Sequence, residues 1–74
     1  MPKYSFMTLE DMLIAIQDFP KKNIKLREQA DGIIVTYTHN GSTYETIIIK
    51  ETEMDIIYIS TDLETQGYRV RMEV

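Results

Sequence analysis

The chain has 74 residues and a mass of 8.7 kDa, enough for one domain, 1–74, with a thin core, because a chain this short hides only about 60% of its unfolded surface. Its 43% hydrophobic and 27% charged residues exclude disorder as the default, and the lack of cysteine excludes a disulfide framework, thiol catalysis and a thiolate metal site. Twelve acidic against eight basic residues give a net charge of −4, which opposes general binding to duplex DNA.

In chain order, the first strong signal is helical. Leu9, Met12, Leu13, Ile16 and Phe19 recur at three- and four-residue steps, the apolar stripe of an amphipathic helix. Thr8 is placed to cap it, and Glu10 and Asp11 fall in the first turn, where the helix dipole favours acids. Met7 and Met12 have the spacing of a hydrophobic staple. Pro20 ends the helix after about three turns, because the residue before a proline is driven away from helical dihedrals.

Beyond Pro20 the period shortens to two. Ile24 and Leu26 alternate with Lys25 and Arg27, the pattern of a short strand with one basic face. Ala30-Asp31-Gly32 reads as a tight turn. Ile33–His39 and Ser42–Lys50 then flank Asn40-Gly41, whose two residues tolerate the positive φ angles of a type I′ hairpin turn. Such a turn sets His39 opposite Ser42, so paired residue numbers sum to 81. Ile33, Val35, Tyr37, Tyr44, Thr46 and Ile48 then share the face expected under the helix. Ile34, Thr36, Thr38, Thr43, Glu45, Ile47 and Ile49 share the other.

Met54–Ser60 reads as a further strand, with Met54, Ile56 and Tyr58 on one face and Asp55, Ile57 and Ile59 on the other. Thr61–Gly67 reads as a loop or a single helical turn, with Thr61 and Glu64 spaced as a capping box and Gly67 as the stop. The last strand turns Tyr68, Val70, Met72 and Val74 inward and Arg69, Arg71 and Glu73 outward. Tyr4 and Phe6 add a short N-terminal edge strand. The expected fold is α+β, one N-terminal helix packed on one face of a 4–5-stranded antiparallel sheet in an α-β-β-β-β meander. Antiparallel pairing follows because no connection reads as long enough for a parallel crossover.

The chemistry inventory is short. His39 is the only histidine and stands beside the hairpin tip, with no second ligand at metal-binding spacing. No serine sits in a recognisable nucleophile elbow, and Gly32, Gly41 and Gly67 lie too far apart to form a phosphate-binding loop. No enzyme activity, cofactor or metal is expected. No apolar run approaches the ~20 residues that span a bilayer, and the N-terminal residues lack the pattern of a signal peptide. A cytosolic protein without membrane contact is expected.

Three surfaces carry binding content. Ile34, Ile47, Ile49, Ile57 and Ile59 would form an apolar patch on the sheet face that one helix leaves uncovered, and patches of this kind mark partner surfaces. Glu51, Glu53, Asp55, Asp62 and Glu64 form a wholly acidic stretch, with the first three alternating as if along one strand face. Lys21, Lys22, Lys25, Arg27, Arg69 and Arg71 are basic, and with Tyr37, Tyr44, Tyr58 and Tyr68 they suggest a stacking platform for single strands. The leading expectation is a small non-enzymatic interaction module, homodimeric through the isoleucine face. The first alternative is an acidic regulator or inhibitor, of the type phages and mobile elements encode, that binds a basic site on a larger protein. The second, and the least expected partner, is single-stranded nucleic acid.

Overall fold

The computed structural model describes residues 2–73. Its elements are β1 (Lys3–Phe6), α1 (Leu9–Ala15), β2 (Asn23–Glu28), β3 (Gly32–His39), β4 (Ser42–Ile49), α2 (Asp55–Thr65) and β5 (Arg69–Glu73).

The β3–β4 hairpin is the organising element. Asn40 and Gly41 have φ of 51° and 80°, as a type I′ turn requires. The register runs from His39↔Ser42 to Gly32↔Ile49, so the expected sum of 81 holds along the whole ladder. The expected inward face is inward. Ile33, Val35, Tyr37 and Thr46 are buried, while Tyr44 and Ile48 pack against the core at its margin.

α1 starts where expected, with the Asp11 N–H donating to the Thr8 hydroxyl at 3.1 Å. It buries Met12 and Ile16. Regular helix ends at Ala15, and the chain reaches Pro20 through tighter turns in which Gln17 and Phe19 donate to the carbonyls of Ile14 and Ile16. The staple does not form: Met7 is fully out in solvent while Met12 lies in the core.

Two expectations are corrected. The first concerns the sheet, which is mixed rather than antiparallel and has the order β1-β4-β3-β2-β5. β1 runs parallel to β4 and β5 parallel to β2, while β2–β3 and β3–β4 are antiparallel. The connection between β4 and β5 holds a whole helix and is long enough for a crossover to the far edge.

The second correction supplies that helix. Met54–Ser60 is not a strand, and 61–67 is neither a loop nor a lone turn; both belong largely to the eleven-residue α2. Thus there are two helices among the described residues, and the N-terminal one is not alone on the sheet. Ile56, Ile59 and Leu63 follow each other at three- and four-residue steps and face the core. Tyr58 and Met54, which strict alternation would place beside Ile56, are exposed. Seven residues are too few to separate period 2 from period 3.6 when most of them are apolar.

The start and stop of α2 confirm the helical period. Thr52 and Asp55 bracket the start: the Asp55 carboxylate accepts from the N–H groups of Glu51 (2.7 Å) and Thr52 (3.1 Å) and from the Thr52 hydroxyl (2.8 Å). This Thr52–Asp55 box is one-sided, since the Thr52 hydroxyl accepts the Met54 N–H at 3.2 Å and the N-cap residue Met54 makes no side-chain bond; Thr61–Glu64 sit inside the helix. Gly67 is the stop, as expected. With φ of 102° it allows Gly67 N–H to reach Glu64 O and Tyr68 N–H to reach Leu63 O, a Schellman pair. Leu63 and Tyr68 are both members of the buried core cluster.

Both helices therefore lie on one side of the sheet, where Met12, Ile16 and Leu63 join Ile24, Leu26, Ile33, Val35, Tyr37 and Tyr68 in one buried cluster. β5 turns Val70 toward that side and Arg69, Arg71 and Glu73 away, as expected; Val74 lies outside the described residues.

The three bonds to Asp55 hold its carboxyl below the usual carboxylate range, the Glu51 and Thr52 amides first among the causes. A lowered folded value stabilises the fold at pH above the ordinary carboxylate pKa of ~4, and this contribution fades as pH falls through the lowered value. Asp55→Asn is accordingly expected to lower Tm at pH 7 and to match the parent near pH 2. A Tm gap that persists undiminished at pH 2 would show that Asp55 acts by something other than its charge.

Candidate interaction surface

The sheet has two unlike faces. One is covered by α1 and α2, and the other is covered by no element among the described residues. The register assigns the open face strand by strand: Lys3 and Ser5 on β1, Thr43, Glu45, Ile47 and Ile49 on β4, Ile34, Thr36 and Thr38 on β3, Asn23, Lys25 and Arg27 on β2, and Arg69, Arg71 and Glu73 on β5.

This face has an apolar end and a polar end. At the end remote from the hairpin turn, Ile47 and Ile49 are 57% and 77% exposed, and Ile34, the cross-strand partner of Ile47, is half-buried between its neighbours. Charged pairs border them in two directions. Toward the turn, Glu45 follows Ile47 on the same face of β4 and holds Lys3 of β1 at 3.1 Å; across the sheet, Arg27 is the register partner of Ile34 and has Glu73 of β5 on its other side. Toward the hairpin turn the face becomes hydroxyl-rich, with Thr38 and Thr43 side chains 3.4 Å apart.

The five-isoleucine patch is thereby reduced to three. Ile57 and Ile59 ride on α2, on the opposite side of the sheet, where Ile57 is exposed and Ile59 packs against the core. Assigning 54–60 to a strand is what had placed them beside Ile47.

The acidic residues are not gathered into one surface. Glu51 and Glu53 lie in the turn before α2, and Asp55 is engaged in the box described above. Glu53 reaches Lys50 at 3.9 Å, and Lys50 in turn reaches Glu28 at 3.4 Å, tying this turn to the end of β2. On α2, Asp62 lines an open groove of about 660 Å³ between the two helices, with Leu13, Ile14 and Gln17 of the α1 region across from it. Glu64 lines a different recess, beside Lys21 and Arg69. Neighbours two apart on a helix point to different sides.

The basic residues, in contrast, are brought together. The parallel pairing of β2 and β5 sets Asn23 beside Arg69, Lys25 beside Arg71 and Arg27 beside Glu73. Lys21 and Lys22 lead into β2; Lys21 Nζ lies 4.6 Å from the centre of the Tyr68 ring and 3.4 Å from its hydroxyl. Sequence reading found the six cations but not their adjacency. The available signal was the repeated basic alternation, Lys25–Arg27 and Arg69–Arg71, opposite core-facing residues on two strands.

No aromatic side chain joins them on the open face among the described residues. Tyr37, Tyr44 and Tyr68 point into the helix side, where Tyr37 has ring centroids of both others at 6.3 Å, and Tyr58 is exposed on α2. The stacking platform is absent. Burial, and then the nearby Tyr68 and Tyr44 hydroxyls, push the Tyr37 hydroxyl above its ordinary pKa, and it donates to the Pro20 carbonyl at 2.6 Å. His39 is half-buried rather than free at the turn: its ring packs on Phe19 with centroids 4.5 Å apart, and Nδ1 lies 3.5 Å from Lys22 Nζ. Among the described residues no three His, Asp or Glu side chains are grouped as metal ligands, and no helix is long and apolar enough to cross a membrane.

No protein-family model and no curated protein matches the chain. What it does must be read from the surface alone.

Proposed function

We propose that this protein is a non-enzymatic interaction module of the cytosol whose working surface is the open face of its sheet, and that a second copy of the chain occupies the isoleucine end of that face. The observation that carries this reading is the pair Ile47 and Ile49, more than half exposed on a face without a helix, beside Ile34. The choice of a second copy rests on charge. The apolar trio is bordered by two cation–anion pairs, Lys3 with Glu45 toward the turn and Arg27 with Glu73 on the β2–β5 side. A two-fold axis through the trio can bring opposite charges of two copies into register, since an isologous interface sets each patch against itself.

Magnitude limits the strength of the contact. Covering two half-exposed isoleucines and part of a third on each chain contributes on the order of 5 kcal/mol for the pair of chains, against an association cost of at least ~4 kcal/mol. A weak dimer, in the micromolar range or above, is the expectation. Sedimentation equilibrium from 10 µM to 1 mM tests it. The parent should shift from monomer to dimer across the series, and the Ile47→Lys/Ile49→Lys double variant should remain monomeric with an unchanged circular dichroism spectrum. A parent that stays monomeric at 1 mM, or a variant that dimerises as the parent does, would sink the proposal.

A further inference from the structure

Six of the chain's eight basic residues lie on β2, its lead-in and β5, although the two groups are more than forty positions apart in sequence. Lys25 and Arg71 are neighbours on adjacent strands of one face, an arrangement that like charges disfavour. Only one of the six has a carboxylate within ion-pair distance among the described residues: Lys25, whose ammonium lies 3.9 Å from Glu73. In a protein of net charge −4, acids to neutralise this cluster are plentiful, yet they stand elsewhere.

The cluster is also concave. Lys22, Asn23, Lys25, Thr36 and Thr38 line a recess of about 230 Å³ with one amide, two hydroxyls, the Lys25 ammonium and no carboxylate; Lys22 borders it with its stem, its ammonium turned to the helix side 3.5 Å from His39 Nδ1 and 5.6 Å from the centre of the Tyr37 ring. A second recess, of about 700 Å³, adjoins it through the shared Lys22 and Asn23 and adds Lys21, Arg69 and Tyr68, with Glu64 as its single acid. Side chains on one strand face recur every ~6.6 Å, twice the ~3.3 Å rise per residue. Lys25 and its β5 neighbour Arg71 thus continue the row of donors from the recesses along the sheet. Donors of this kind, in a row, suit successive phosphates of an extended chain; amides, hydroxyls, lysines and arginines are the usual phosphate ligands of nucleic-acid-binding proteins.

We propose that the β2–β5 flank is a binding site for the phosphodiester backbone of single-stranded nucleic acid, held without base stacking and therefore without sequence preference. A single strand fits better than a duplex because the donors form one short row and the remainder of the protein is acidic. The inward tyrosines leave the backbone as the part recognised. This site lies toward the hairpin-turn end and the β5 edge, whereas self-association uses the isoleucine end, so either can fail without the other.

The test is fluorescence anisotropy with a labelled twelve-nucleotide oligothymidylate, titrated between 20 and 200 mM salt. Four phosphate contacts predict an affinity that falls by about three powers of ten per tenfold rise in salt, at ~0.7 per contact for single strands. Lys22→Gln/Lys25→Gln should reduce that slope to about half, and Arg69→Gln alone should reduce it by about a quarter. A mixed-sequence oligonucleotide should bind within about threefold of oligothymidylate. No salt-sensitive binding at 20 mM, or a slope unchanged in both variants with their spectra intact, overturns the site. Inorganic polyphosphate or anionic lipid vesicles that outcompete the oligonucleotide at equal phosphate concentration overturn the choice of ligand.

Discussion

Leu63→Ala is expected to remove most of the stability of this protein. Leu63 is the one wholly buried residue of α2, and truncating a buried leucine costs about 2–5 kcal/mol, comparable with the ~5 kcal/mol total of a chain this small. The loss should spread past the cavity itself. Leu63 O receives the Tyr68 N–H in the turn that launches β5, and both side chains belong to the buried core. β5 is an edge strand bound on one side only, to β2. Hydrogen exchange in Leu63→Ala is therefore expected to rise in 69–73 before it rises in β3 and β4. Tyr58→Ala, two residues from core-facing Ile56 but 64% exposed, serves as the control and should change stability by no more than ~0.5 kcal/mol. Urea denaturation of the two variants checks the pair. Equal losses would mean that 54–60 does not have its helical facing, because the strand pattern would bury Tyr58 with Ile56.

Tyr37 yields the second large effect and separates packing from hydrogen bonding. Its side chain is 1% exposed and is the largest fully buried one in the protein. It lies among Phe19, His39, Tyr44 and Tyr68. Tyr37→Ala should cost about 3–5 kcal/mol, as aromatic truncations in cores do. Tyr37→Phe should cost only ~1 kcal/mol, because the Pro20 carbonyl that loses the hydroxyl still accepts the Lys22 N–H at 3.0 Å. A pH signature accompanies the smaller change. The folded hydroxyl ionises at higher pH than the unfolded one, so its contribution is whole below pH ~10 and is lost as pH rises through the raised folded value. Tyr37→Phe should flatten that alkaline limb in melts taken from pH 8 to 11. A variant that keeps the limb would assign it to another tyrosine.

Much of the fold can be read from local chemistry. Thr8 caps α1 because its hydroxyl is short enough to reach the first-turn amides, whereas the helix ends at Ala15, earlier than the stop expected at Pro20. Asn40-Gly41 fixes the hairpin and so the facing of sixteen strand residues, since opposing positions follow from the turn by counting. The exception is 54–60, where five of seven residues are apolar and suit either period, and the residues that decide, Thr52 and Asp55 at the start and Leu63 and Gly67 beyond, lie mostly outside that window. Thr52-x-x-Asp55 and Thr61-x-x-Glu64 have the same spacing of a helix start, and sequence spacing does not tell which of the two lies at the terminus.

The surface followed the same division. The isoleucine face survives for Ile34, Ile47 and Ile49, whose facing depends on the hairpin count, and fails for Ile57 and Ile59, whose facing depends on the misread period. The six cations stand out in sequence one by one; that they form a single flank follows from β5 lying parallel to β2 at the far edge of the sheet.

By itself the sequence determined the absence of cysteine chemistry, the capped first helix, the hairpin with its register, and the surplus of apolar sheet positions in a chain too short to cover them. Each of these depends on contacts within a few residues or on composition. The tertiary structure alone decided strand order, parallel pairing and the side to which α2 returns. Those depend on where a long connection lands, and a crossover has no local signature, because its destination is set by which distant faces it can bury. Among the described residues that landing leaves one face of the sheet uncovered and sets Arg69 and Arg71 beside Asn23 and Lys25, which is where the proposed functions lie.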